Sequence, residues 1–101
     1  MEIPLKPKSS ETVTVPVLQT PILISEAGHV LNQLYPHNPF SITWFKRKAG
    51  QFKWSLRSTK ENGDYDVAAF AKEWGGGGHH NASGFITKKP IWISHKKGVI
   101  P

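Results

Sequence analysis

"SITWFKRKAGQFKWSLRST", residues 41 to 59, is two aromatic, alternating runs on either side of a short turn at Ala49-Gly50. Side chains along a strand point alternately to the two faces of a sheet, so such a pattern predicts a β-hairpin. In the second run Phe52, Trp54 and Leu56 share one face, and Lys53, Ser55 and Arg57 share the other. Arg57 is therefore expected to point away from the apolar side, on the same face as a lysine.

The flanking segments supply the rest of a small α/β unit. "VTVPVLQT", 13 to 20, is β-branched and apolar and predicts a strand, with Pro16 favouring an edge or a bulge. "ISEAGHVLNQLY", 24 to 35, predicts a helix. Ser25 is a suitable N-cap, and Glu26 sits favourably in the first turn. Ala27, Val30, Leu31 and Leu34 fall on one apolar face. "KENGDYD" is a loop, and "DVAAFAKEW" is the clearest helix, with Asp66 as its cap. Val67, Phe70, Ala71 and Trp74 form that helix's inner stripe, and Gly75 allows a left-handed stop. "NASGFITKK" and "IWIS" predict a turn and one or two closing strands. The expected fold is a single α/β domain, a mixed sheet of four or five strands packed by two main helices. Residues 1 to 12, with Pro4, Pro7, Lys6 and Lys8, are expected to be a flexible lead-in or linker; the domain proper runs from 13 to 101.

The chain has 101 residues, 38% of them hydrophobic, enough for one modest core. Thirteen Lys and Arg oppose seven Asp and Glu, a net charge of +6, and eleven of the thirteen are Lys. Such an excess attracts polyanions by counterion release. It also serves simple solubility, so position has to decide between the two. There is no Cys, which excludes disulfides and thiolate metal sites and suits a reducing compartment. The N-terminus has no apolar signal region, and no apolar run approaches a membrane span. A cytoplasmic location is the expectation.

"EWGGGGHHNASGF", 73 to 85, admits three readings. An idle linker is disfavoured, because the glycine run begins directly after a helix and ends seven residues before Phe85 within patterned sequence. A metal site is disfavoured too. Adjacent His79 and His80 seldom reach one ion, and His29, His37 and His95 complete no ligand motif. The third is a cradle: glycines expose backbone N–H groups to an anion, small residues admit a ligand, and a histidine donates to a phosphate. Arg57, on a neighbouring strand, adds a bidentate phosphate partner.

"SLRS" (55 to 58) followed by "DVAAFAKEWGGGGHHNASGF" (66 to 85) closely resembles the DHH-associated domain of type one. That domain is the C-terminal half of many DHH-family phosphoesterases, including RecJ-like exonucleases and oligoribonucleases acting on very short RNA. Its signature is Ser-x-Arg-Ser, an Asp-Val opening a helix, then Gly-Gly-Gly-His-x-x-Ala-(Ala or Ser)-Gly. Gly76, Gly77, Gly78, His79, Ala82, Ser83 and Gly84 fill the last block in order, with Ser83 where Ala is commoner. "SEAGHVL" also looks like the family's first helix, and the resemblance spans about residues 13 to 94.

The resemblance implies that Gly76, Gly77, Gly78 and His79 contact the terminal nucleotide or phosphate, and that Arg57 holds the phosphate. Ala82 and Gly84 would let the substrate lie close to the chain. Ser55 and Ser58 are expected to be strand hydroxyls satisfied locally, His80 a solvated side chain, and Trp74 part of the core. The implied partners are short single-stranded RNA or DNA, or a phosphorylated nucleotide, and a DHH catalytic domain in cis or in trans. The family's metals, usually manganese, belong to that other domain. The Asp-His-His motif is absent from this chain, and Asp64 and Asp66 alone make no ligand set. No catalytic or metal-binding residue and no cofactor are therefore assigned here. The favoured function is the substrate-binding half of a phosphoesterase or exonuclease without its catalytic half. The alternatives are a standalone single-stranded nucleic-acid binding module, and an interaction domain that keeps the fold without the ligand.

Overall fold

The computed structural model describes residues 1–92. The hairpin forms as its alternation dictates: β4 (Ser41–Lys46) and β5 (Phe52–Arg57) pair antiparallel, with Trp44 opposite Trp54 and Ser41 opposite Arg57. Before it come β1 (Glu2–Pro4), β2 (Thr12–Thr14), β3 (Val17–Gln19) and helix α1 (Ile24–Leu34). After it come helix α2 (Val67–Glu73), β6 (Gly77–His79) and β7 (Ala82–Thr87). One mixed sheet runs β3-β4-β5-β7-β6, and β1 and β2 form a separate antiparallel pair. β3 lies parallel to β4, so α1 is the crossover between them.

The two sheet faces differ in chemistry. Ile42, Trp44, Trp54, Leu56 and Phe85 are buried on one, beneath Val67, Phe70 and Ala71 of α2. Trp54 stands 6.3 Å from Phe85 and 5.6 Å from Trp44, ring to ring, so the hairpin's aromatics form the centre of the core. α2 keeps its sequence-level caps: the Asp66 carboxylate accepts from the Ala69 N–H at 3.1 Å, and Gly75 follows at φ 86°. The opposite face carries Ser41, Thr43, Lys53, Ser55 and Arg57, and α1 covers part of it.

Five expectations change. Residues 1 to 12 are not a free lead-in, because β1 pairs with β2 and Ile3 is fully buried in the core. The run 13 to 20 is not one strand. Pro16 has no N–H for a ladder, and the chain changes sheets around it, from β2 to β3. The apolar stripe of α1 does not face the sheet. Gly28 and Asn32 are its buried residues, whereas Val30 and Leu34 are 48% and 66% exposed. Polar contacts hold α1 down instead: the Ser41 hydroxyl donates to the Gly28 carbonyl at 3.0 Å, and the Asn32 amide to the Arg57 carbonyl at 2.9 Å. Ser25 is not the cap, since Leu23 occupies that position at φ 52°. Of "IWIS", Ile91 is buried and Trp92 packs on Trp44 and Trp54, but neither is in a strand; residues 93 and 94 lie outside the described residues.

Candidate functional site

The polar face owes its shape to α1 resting on glycine. A Cβ at Gly28 would come within 3.3 Å of the Arg57 Cβ, so the bare backbone lets the helix settle against that side chain. Where α1 ends its cover, a depression of 270 Å³ opens. Ile24, Ser25 and Gly28 of the helix form one side; Ser55, Arg57, Gly77, Ala82 and Gly84 form much of the remainder.

Strand register explains the grouping. Arg57 pairs with Ala82, which pairs with His79; Ser55 pairs with Gly84, which pairs with Gly77. Paired residues point to the same face. Two rows therefore cross β5, β7 and β6 on the polar side, one carrying the guanidinium and the imidazole, the other carrying almost no side chain. Arg57, Gly77, Ala82 and Gly84 meet in the depression, and His79 stands exposed at the end of the Arg57 row.

Gly76 and Gly78 are not brought to it. The Gly76 amide donates to the Ala71 carbonyl at 2.8 Å, closing the end of α2. A Cβ there would lie 2.1 Å from the Gly84 carbonyl oxygen. Gly78 pairs with Ser83, whose hydroxyl donates to the Val67 carbonyl, so this position faces α2. Its φ is 144°, and a Cβ would lie 2.7 Å from the Ser83 Cα. Among the described residues Gly77 has nothing within 4 Å of an added Cβ. The glycine run is thus a helix stop followed by the edge strand β6, and only Gly77 of the expected cradle borders the depression.

Arg57 Nη2 donates to the Ser25 hydroxyl at 3.1 Å, and no carboxylate pairs with the guanidinium among the described residues. Ser25 is a contributor that the sequence reading assigned to capping. Ser55 is another: its hydroxyl lines the depression with no hydrogen-bond partner among the described residues, contrary to local satisfaction. Ser58 is satisfied locally, donating to the Tyr65 carbonyl at 2.6 Å and accepting from Asn81 at 2.8 Å. His80 is exposed but tied to the 64–66 loop, its ring 2.8 Å from the Asp64 carbonyl and 3.8 Å from the Asp66 carboxylate. Burial, with Asp66 beside it, pushes the Tyr65 hydroxyl above its ordinary pKa. Trp74 stacks on Phe85 at 5.7 Å, as a core residue does. Among the described residues no group of three or more His, Asp or Glu is placed to hold a metal ion, and no helix is long and apolar enough to cross a membrane.

No family model matches the chain. It is similar to an uncharacterized protein of Acanthamoeba polyphaga mimivirus, with 41% identity over 83 residues, covering 81% of this chain and 18% of that protein. Among solved structures it is similar to an uncharacterized protein from Helicobacter pylori, with a TM-score of 0.57 and 26% identity over 71% of this chain and 19% of that one. A more distant structural neighbour is a pGpG-specific phosphodiesterase from Vibrio cholerae, with a TM-score of 0.47, 18% identity, and coverage of 56% of this chain and 20% of that one. The chain spans about a fifth of the length of each of these proteins.

Proposed function

We propose that the chain is a phosphate-reading domain: the substrate-binding half of a DHH-type phosphoesterase. It holds the terminal phosphate of a nucleotide or short single-stranded nucleic acid in the depression on the polar face. The observation that carries this reading is Arg57, partly buried beside a cavity floored by Gly77, Ala82 and Gly84, with no carboxylate to neutralise it among the described residues. A guanidinium binds a phosphate with two parallel charge-assisted bonds, and a side-chain-free floor allows a close approach. Ser25 sets the guanidinium's direction, Ser55 offers a further donor, and His79 reaches the ligand from the edge strand.

Bond cleavage is assigned to a separate DHH domain with its manganese ions. This fits the larger size of the related proteins and the lack of an Asp-His-His motif here. Titrating the chain with a 5′-phosphorylated dinucleotide and with its unphosphorylated counterpart tests the reading. The phosphorylated ligand binds more tightly, and Arg57→Ala removes that preference at a cost of about 1.5–3 kcal/mol. Equal affinity for the two ligands would overturn it.

A further inference from the structure

The depression ends short of Lys53, yet that side chain has the features of a second anion subsite. Lys53, Ser55 and Arg57 occupy one face of β5 at two-residue steps. The backbones of Lys53 and Arg57 are therefore about 14 Å apart, at about 3.4 Å per residue, and the Lys53 side chain closes part of that distance by reaching the Ser55–Gly84 row. The Lys53 ammonium folds back over the sheet: a Cβ built on Gly84 would lie 2.7 Å from Lys53 Nζ. The glycine makes room for a cation where any other residue would displace it. Lys53 is partly buried and has no carboxylate or hydrogen-bond partner among the described residues.

Phe45 and Ile86 flank Lys53 on the neighbouring strands, and the charged residues of these segments carry one sign. Neither 41–57 nor 82–92 contains an Asp or Glu. Beyond Lys53 the hairpin tip carries Arg47 and Lys48, whereas Lys46 pairs with Phe52 and lies over its ring on the aromatic face. β7 reaches the same end, where Thr87 pairs with Phe52, and continues into Lys88 and Lys89. The basic residues thus lead from Arg57 past Lys53 to that end of the sheet, a path rather than a point.

We infer that Lys53 forms a second phosphate subsite, and that the ligand is a single-stranded oligonucleotide lying along β5 from Arg57 toward the hairpin tip. This rests on the phosphate-reading role of Arg57 proposed above. A mononucleotide occupies the Arg57 end alone. A longer strand places a later phosphate at Lys53.

The test compares adenosine 5′-monophosphate with a 5′-phosphorylated tetranucleotide, over a range of salt concentrations. The wild-type chain binds the tetranucleotide more tightly; no gain with length overturns the inference without any mutant. Lys53→Gln, which keeps a polar stem over Gly84, weakens the tetranucleotide about tenfold and leaves the mononucleotide unchanged. It also makes the slope of log affinity against log salt shallower by about 0.7. Lys53→Arg restores both. Equal weakening of the two ligands, or of neither, overturns the second subsite. Indifference of the wild-type chain to the 5′-phosphate would instead remove the Arg57 reading, and this inference with it.

Discussion

The glycines of 75–78 do four different jobs within one short run. Gly75 turns the chain through a left-handed conformation, and Gly76 lies against the backbone of β7 while its amide closes α2. Gly78 faces α2 across the sheet, and Gly77 alone of the run borders the depression. Substitutions should separate these roles. Gly76→Ala forces a methyl into the Gly84 carbonyl and should destabilise the fold by about 1–3 kcal/mol, read as a lower denaturation midpoint. Gly77→Val meets open space, so its midpoint should stay near wild type while affinity for a phosphorylated dinucleotide falls. A Gly77→Val chain that binds normally would remove close approach at that strand. Sequence alone could not sort these glycines, because what distinguishes them is the backbone opposite each one. Ser25 was hidden for a similar reason: its partner is 32 residues away, and serine near a helix start usually caps.

At the level of elements, the hairpin was the most legible part. Period-two alternation in Phe52, Trp54 and Leu56 assigns the core face, and the polar face with Arg57 follows from it. α2 was legible as well, since its apolar stripe, cap and terminal glycine agree. The extent of α1 was legible too, at Ile24–Leu34, but its packing face was not, because its stripe points outward and its buried contacts are a glycine and an asparagine. With Leu18, Ile22 and Leu23 that outer face lines a groove of 570 Å³. Exposure predicts the energetics. Leu34→Ala should change stability by no more than about 0.5 kcal/mol, whereas Phe70→Ala should cost about 3–5 kcal/mol. A large loss at Leu34 would mean the stripe is packed after all. Short elements escaped the sequence reading: β1 has three residues, and β6 is two glycines and a histidine, with no side-chain alternation to see.

For the whole molecule, the asymmetry between faces underlies the proposed function. One face is spent on aromatic packing under α2, and the other is polar, with Arg57 and Lys53 unpaired by carboxylates among the described residues. The net charge of +6 adds long-range attraction for anions, screened over about 8 Å at physiological salt. Binding of a phosphorylated tetranucleotide should therefore weaken with salt, with a log–log slope near −1.4 if two phosphates are held. A slope near zero would exclude a phosphate-led interaction.

The most direct measurement is an amide and side-chain chemical-shift titration of the folded chain with a 5′-phosphorylated dinucleotide. The largest changes should fall on Gly77, Ala82 and Gly84, and on the Arg57 guanidinium, all bordering one depression. Changes gathered instead on the outer face of α1, around Leu18, Val30 and Leu34, or no changes at all, would contradict the account.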